Sequence, residues 1–535
     1  MPAASPTPAP RGGLLNRLVL GSLDRIERVG NKLPDPLSLF AILIGITIAV
    51  SWIAAAAGVA AVHPGTGDTV SAVNLLDGAQ IRRIFVEMPQ TFAAFPPLGM
   101  VLVIMLGIGV AERSGLIAAA LRGFVQSVPR SLLSGSVVFA GMMSSLAVDA
   151  GYVVLIPLGA VIFHSVGRHP IAGLAAAFAG VSGGFSANLL VTSLDPLLAG
   201  FTEPAAQLLD PAYSVLPTAN YYLMIALIPV FTVLGAFVTD RILEPRLGNW
   251  DPGEAGEDFV EGEGEAGADT GSLSPVERKG LRWAGVSVLL FAAVVVWMVV
   301  PQGAPLRAPD SENMEFLVQR IDPFLRSMVA LMTIAFFIPG LVYGVITRTI
   351  RSDKDVARMS AEAMSSMGVY IVLAFAAAHL VAFFGWSNLG LITAISGAGF
   401  LQSIGFTGIP LLVGFVVVSA TINLFIGSAS AKWAIMAPVF VPMFMLLGYS
   451  PELTQAAYRI GDSVTNILTP LLPYFPLVIV FAKKYQKDIG IGTLVASMLP
   501  YSVAFGIGGI LVLIGWVFLG LPLGPGSPLE YITGG

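Results

Sequence analysis

The chain has 535 residues, 55% hydrophobic and 11% charged, with 28 Lys and Arg against 33 Asp and Glu for a net charge of −5. Soluble domains carry about 25% charged residues, so the composition excludes a soluble fold, and the small negative balance argues against a nucleic-acid partner. With 0 cysteines, 4 histidines and no His-Glu-x-x-His pattern, disulfides and thiolate chemistry are excluded and a zinc site is disfavoured.

Residues 1–36 are Pro-rich and then amphipathic, with Arg11, Arg17, Arg25, Arg28 and Lys32, and read as a cytoplasmic N-terminus rather than a signal peptide. The apolar run 37–62 is long enough to cross a ~30 Å hydrocarbon core and reads as the first transmembrane helix. Further crossings are expected at 95–111, 171–198, 219–242, 282–301, 324–347, 366–386, 454–482 and 495–519. Two other apolar stretches, 131–163 and 410–446, hold small polar residues in their middle and are long for one crossing but short for two. They read as re-entrant hairpins, which survive at membrane depth only where protein or a water-filled cavity surrounds the backbone. The predicted fold class is an all-α polytopic membrane protein, with nine transmembrane helices plus two re-entrant hairpins.

Charge placement agrees with this count, because Lys and Arg favour the cytoplasmic side. Arg113, Arg122 and Arg130 fall inside, as do Arg241 and Arg246, then Arg348, Arg351, Lys354 and Arg358, then Lys483, Lys484 and Lys487. The loop 199–218, expected outside, has no Lys or Arg; Arg82, Arg83, Arg307 and Arg320 are the exceptions. The tail 520–535 ends outside. The one long polar stretch, 249–274, lies in a linker over 243–281 whose Gly and acid content is that of a solvated cytoplasmic segment.

That linker divides a duplication. A first repeat over 95–242 contains a helix, the hairpin 131–163 and two more helices; after two additional helices over 282–347, a second repeat over 366–519 has the same order around the hairpin 410–446. The topology gives the two repeats opposite orientations. Inverted repeats with broken helices, and a site near the midplane at their interface, are the architecture of secondary transporters. Pro157 and Pro438 take matching places, aligning Met143-Ser-Ser-Leu-Ala-Val-Asp149 with Phe425-Ile-Gly-Ser-Ala-Ser-Ala431 and Ser182-Gly-Gly-Phe-Ser-Ala-Asn188 with Ile460-Gly-Asp-Ser-Val-Thr-Asn466.

These segments are rich in Gly, Ser, Thr and Asn where a membrane helix should be Leu and Val. Unwound backbone and neutral side-chain oxygens, including those of Ser182, Thr465, Asn188 and Asn466, suit a hard cation such as Na+. Close helix packing through small residues explains one such segment, but less well four at paired positions. Ionisable residues at this depth are expensive and point to function. Arg459, Asp462, Asn466 and Pro470 are spaced to share one helix face. Asp462 is expected either to pair with Arg459 or to carry a proton or ion while Arg459 meets an anionic substrate group. Gly184, Asn188, Thr192 and Asp195 mirror this face in the first repeat, with Asp195 near the outer end of its helix. Asp149, at the first hairpin tip, is either a half-helix cap or a coupling group. Lys432 and Trp433 follow the second tip, where Trp433 is an interfacial anchor or a stacking platform. His379 reads as a packing side chain or a proton carrier, and His63, His164 and His169 as solvated interfacial groups.

Together the residues resemble the AbgT family of p-aminobenzoyl-glutamate transporters. The resemblance covers nearly the whole chain and rests on Gly30-Asn-Lys-Leu-Pro-Asp-Pro36, Pro97-Leu-Gly-Met100, Gly107-Ile-Gly-Val-Ala-Glu-Arg-Ser-Gly115, Asp149-Ala-Gly-Tyr-Val-Val-Leu-Ile-Pro157, Gly183-Gly-Phe-Ser-Ala-Asn188, Leu194-Asp-Pro196, Ser428-Ala-Ser-Ala-Lys-Trp433 and Asp462-Ser-Val-Thr-Asn466. It implies a homodimer in a bacterial inner membrane and either uptake of p-aminobenzoyl-glutamate or proton-driven export of sulfonamides. It also implies that Asp195, Asn423, Ser430, Trp433, Pro451, Arg459, Asp462 and Pro470 serve the site. The coupling ion is expected to be H+ or Na+, with Na+ near Asn423 and Asp462 and no cofactor. Other carboxylate or ion transporters of the same architecture are the alternative. A remote one is an intramembrane serine protease, from Gly180-Val-Ser-Gly183 with Ser182 as nucleophile and His379 as base. A channel is disfavoured, and an ATP-driven pump lacks its GxxxxGK[ST] loop.

Overall fold

The computed structural model describes residues 36–62, 67–146, 151–256, 273–309, 314 and 317–531. The chain is mostly helical, and among the described residues seven helices are long and apolar enough to cross a membrane. Residues 1–35 of the expected N-terminal segment over 1–36 and Asp149 lie outside the described residues, as does His63.

The first helix, Pro36–Ala56, stops short of the predicted end at 62. Gly58 takes a left-handed φ of 66°, which closes the helix, and Ala60–Val62 then pairs antiparallel with Thr69–Ser71. Four further helices were not foreseen: Gly78–Ala93, Leu116–Gln126, Asp353–Ser366 and Leu389–Ser403. The first and third carry charges through their length and the other two are too short to span, so a hydropathy window passes over all of them. Arg83, placed outside as an exception to the charge rule, lies on the first of these, paired with Glu87 at 3.2 Å and stacked 4.4 Å over the Trp386 ring.

With these helices included, one order of elements occurs twice. Gly78–Ala93, Pro96–Arg113 and Leu116–Gln126 precede the first hairpin; Asp353–Ser366, Gly368–Trp386 and Leu389–Ser403 precede the second. The stretch read as the first hairpin holds Leu133–Met143 and, beyond the undescribed residues 147–150, Gly151–Leu155 running into Ile156–Ser165. The second comprises Gly408–Asn423 and Ala429–Met445, with 424–428 unwound between them. Where hydropathy predicts one helix over 171–198 and another over 454–482, both are broken. Pro170–Phe178 ends in a wide turn at Ala179–Gly183 and the chain is irregular to Leu194–Ala206; Pro451–Thr465 gives way before Phe475–Tyr485. A long helix closes each set, Tyr221–Val238 and Ile491–Phe518, and these two pack together through Phe231 and Phe505, stacked 4.6 Å apart.

In lipid there is no hydrophobic drive for helices to associate, so close backbone approach through small residues holds them. A Cβ on Gly461 would lie 2.3 Å from the Val416 carbonyl oxygen of the second hairpin, and one on Gly180 would lie 2.3 Å from that of Val138 in the first. Each broken helix is thus pressed against its own hairpin. The start of the linker, predicted as solvated, is exposed over 251–254 but hydrogen-bonded to the rest of the chain where it is described. Regular structure continues to Leu247, Trp250 Nε1 donates to the Tyr485 carbonyl at 3.0 Å, and the Lys487 amide donates to Glu254 O at 2.9 Å. The next helix begins at Pro275, capped by Ser274 and Glu277, inside the predicted linker.

Candidate functional site

Pro451–Thr465 is buried over 451–464 although polar residues recur along it, and it is the spine of the site. Ser450 caps it, accepting from the Leu453 amide at 3.1 Å, and Pro451 fills the first helical position, where no N–H is needed. Glu452, Gln455, Arg459, Asp462 and Asn466 follow at spacings of three and four and line one face. That face meets Leu194–Ala206 of the first repeat and both parts of the second hairpin.

The charges do not pair as expected. Arg459 and Asp462 are not each other's partners. Arg459 Nη1 donates to Asp195 Oδ1 at 2.5 Å, and Lys432 Nζ donates to Asp462 Oδ1. All four side chains are sealed, with exposures of 3% for Arg459, 1% for Asp195 and Asp462, and 0% for Lys432. Two residues on one helix face project alongside one another. A partner on a facing element meets either of them head-on, and here two facing elements supply one each. The four charges sum to zero, as burial demands of ionised groups.

Asp195 is not at the outer end of a helix. It sits in the first turn of the half-helix Leu194–Ala206, after the break, and its Oδ2 accepts the Thr192 amide at 2.5 Å and the Thr192 hydroxyl at 3.0 Å. The helix face predicted from Gly184, Asn188, Thr192 and Asp195 does not form, because 184–193 is irregular. Asn188 instead accepts the Ser145 hydroxyl, tying the break to the first hairpin. Ser182 Oγ accepts the Tyr152 hydroxyl at 3.0 Å, and Tyr152 stacks on Tyr474 at 4.2 Å in the second repeat's break.

Asn423 ends the first part of the second hairpin. Its Nδ2 donates to Asp462 O at 2.7 Å, to Thr465 Oγ1 at 3.0 Å and to Asn466 Oδ1 at 2.8 Å, and its Oδ1 accepts Lys432 Nζ at 2.6 Å. The oxygens predicted to hold Na+ are thus in contact with an ammonium group. Trp433 is fully buried, stacked on Tyr458 at 4.4 Å, with Nε1 donating to Thr202 Oγ1 at 2.9 Å, so it is not an interfacial anchor. Thr202 in turn donates to Gln455 Oε1 at 2.6 Å, and Gln455 Nε2 donates to Asn220 Oδ1 at 2.8 Å. Ser430, in the first turn of Ala429–Met445, and Pro470, in the break, are half-buried.

Two polar atoms of this cluster stand out. Arg459 Nε and Nη2 are buried and donate to nothing among the described residues. An orphaned charged donor is costly in a protein interior, so these atoms face a place where an acceptor belongs. No group of three or more His, Asp or Glu side chains converges among the described residues. Serine hydrolase geometry is absent too: His379 Nδ1 contacts Phe375 O at 2.7 Å, far from any role toward Ser182, whose partner is Tyr152. His169, predicted solvated, is buried and caps Pro170–Phe178 by accepting the Ile171 amide on Nδ1 at 3.2 Å.

Lys432, Thr202, Gln455 and Tyr458 were missed as members of this buried cluster. Gln455 and Glu452 were visible as continuations of the Arg459 face one and two turns back, in a helix with too many polar residues for lipid. Thr202 carries no such signal.

The sequence model of the AbgT putative transporter family matches residues 21–531. The chain belongs to the AbgT family. It is 40% identical over 501 residues to the p-aminobenzoyl-glutamate transport protein of Escherichia coli (strain K12), covering 94% of this chain and 95% of that one. Two solved structures of transporters are similar. The Alcanivorax borkumensis YdaH transporter aligns at 43% identity with a TM-score of 0.85, over 92% of this chain and all of the other (100%). Neisseria gonorrhoeae MtrF, of a class of antimetabolite efflux pumps, aligns at 46% identity with a TM-score of 0.88, over 95% of this chain and 100% of its own. This AbgT chain is therefore a multi-pass membrane transporter, not an enzyme, and its buried charges lie in a transport protein's interior.

Proposed function

We propose that this AbgT protein moves p-aminobenzoyl-glutamate or related folate catabolites, or exports sulfonamide antimetabolites, across a bacterial inner membrane by ion-coupled alternating access. Arg459 carries the reading. Its Nη1 is held by Asp195 while Nε and Nη2 stay unpartnered, an edge of the guanidinium that matches a carboxylate in bidentate fashion. Tyr458, immediately before Arg459 in the helix, and Trp433, stacked on it from the facing helix, form an aromatic pair suited to an aminobenzoyl ring. Both rings are buried here, so access requires the hairpin and the broken helix to part. An apolar cavity of about 930 Å³, lined among others by Met143, Leu189, Leu190 and Tyr221, adjoins the first repeat's break and offers an aromatic substrate a route past it. None of the four charged residues lines that cavity.

In this reading the protein crosses the membrane nine times with two hairpins, the N-terminus is cytoplasmic, the repeats are inverted and the protein is a homodimer. H+ or Na+ supplies the drive, and Asp195 and Asp462 are the carboxylates on which coupling rests, with Asn188, Asn423 and Asn466 as polar oxygens. The test is flux of labelled p-aminobenzoyl-glutamate and of a sulfonamide in proteoliposomes, with H+ and Na+ gradients imposed separately. Saturable, gradient-driven flux that Arg459→Ala abolishes is expected. Flux of neither compound, or flux indifferent to Arg459, overturns the substrate assignment.

A further inference from the structure

Lys432 has no role in the proposal above, yet it is the most completely buried charge in the site. Its ammonium donates to Asn423 Oδ1 at 2.6 Å and to Asp462 Oδ1, and lies 5.4 Å from the centroid of the Tyr458 ring. The Tyr458 hydroxyl approaches the same Asp462 oxygen at 3.3 Å. The orientation of Asn423 is dictated by its neighbours. Its Nδ2 faces three oxygens, those of Asp462 O, Thr465 Oγ1 and Asn466, which leaves Oδ1 turned to Lys432. A carboxylate oxygen, an amide oxygen and an aromatic face, gathered where a half-helix ends, are what a small monovalent cation seeks in a membrane.

We infer that Lys432 is a tethered cation. Its ammonium takes the position that a free Na+ would occupy between Asn423 and Asp462, so the native protein neither binds nor needs Na+ there. Charge balance supports this. Arg459 and Lys432 offset Asp195 and Asp462 in two buried ion pairs, and an added Na+ would leave these four groups with a net positive charge. A cation fixed to the chain returns with every cycle and cannot run down its own gradient. The drive then has to come from another ion. This last consequence rests on the ion-coupled reading above; the occupancy of the site does not.

The experiment is thermal unfolding of the purified full chain, without substrate, titrated with NaCl against choline chloride at equal ionic strength, beside binding of radiolabelled sodium. A ligand that binds only the folded state raises its melting point. The wild type should show no Na+-specific rise. Lys432→Ala, which vacates the ammonium position but keeps both oxygens, should gain a saturable Na+-specific rise and sodium binding. Lys432→Ala combined with Asp462→Asn should lose them. Saturable sodium binding by the wild type overturns the inference, and so does a folded Lys432→Ala protein that ignores Na+. Should Lys432→Ala not fold, Lys432→Gln takes its place, its smaller side chain ending short of both oxygens. If that also fails, the wild-type titration decides alone. Failed uptake of p-aminobenzoyl-glutamate would sink the substrate assignment and leave these titrations unaffected.

Discussion

Arg459, in the broken helix of the second repeat, donates to Asp195, in the half-helix of the first, at 2.5 Å with both side chains out of reach of solvent. Ser186 reinforces this joint by donating to the Arg459 carbonyl at 3.0 Å. The ion pair joins two parts of the chain that must separate if the site is to open, so its strength sets how firmly the closed arrangement is held.

Removing one partner of such a pair strands the other charge, at a cost of about 3–5 kcal/mol. Asp195→Ala and Arg459→Ala should each lower the unfolding midpoint in detergent, and the double variant should recover part of the loss. A double-mutant cycle measures the coupling directly. Single variants as stable as the wild type would show that the two charges are not in contact in the folded protein.

Trp433 serves through its ring and its indole nitrogen separately. Trp433→Phe keeps the stack on Tyr458 and loses the bond to Thr202, worth about 1 kcal/mol. Trp433→Ala removes both and leaves a void, so a loss of about 3–5 kcal/mol is expected. Flux in proteoliposomes should survive the first substitution and fail with the second. Equal flux from both would remove the aromatic pair from substrate binding.

The contact between the second hairpin and its broken helix depends on Gly461. A Cβ there would sit 2.3 Å from a carbonyl oxygen of the hairpin, with no flexible side chain to yield. Gly461→Val should destabilise by at least the ~1–3 kcal/mol of ordinary overpacking and abolish flux. Gly45→Ala, in the Pro36–Ala56 helix with nothing within 4 Å, is the control and should stabilise by roughly 1 kcal/mol. Melting curves of the two variants, moving in opposite directions, check this.

Stability should fall in mild acid through His169. Burial in the turn before Pro170–Phe178 holds its pKa below the ordinary 6.5, although Glu244 pulls the other way. The neutral ring is the form that caps the helix, so the contribution is complete above the unfolded value and is lost as pH falls through the lowered folded one. His169→Asn caps without titrating. Melting points between about pH 5 and 8 should show this component in the wild type and not in the variant. Identical profiles would place the acid sensitivity elsewhere.

Hydropathy and breaker residues were enough to reveal the membrane class and the segments where helices unwind. Lipid allows no unsatisfied backbone and few charges, so each Gly-, Ser- or Asn-rich interruption in an apolar run is conspicuous. Asp195, Asn423, Trp433, Arg459 and Asp462 do gather in one buried cluster at the breaks. The amphipathic helices Gly78–Ala93 and Asp353–Ser366 left no such mark, since charges spread along a helix lower its hydropathy to that of a loop.

Which charge pairs with which was decided only in three dimensions. The spacing of Arg459 and Asp462 places them on one face, and nothing local reveals that Asp195 and Lys432 approach from elements 264 and 30 residues away to claim one each. Periodicity is a property of a single helix. Partnership depends on how several broken helices are stacked, and that stacking follows from close packing through residues such as Gly461 and Gly180, whose contacts appear only when the chain has folded.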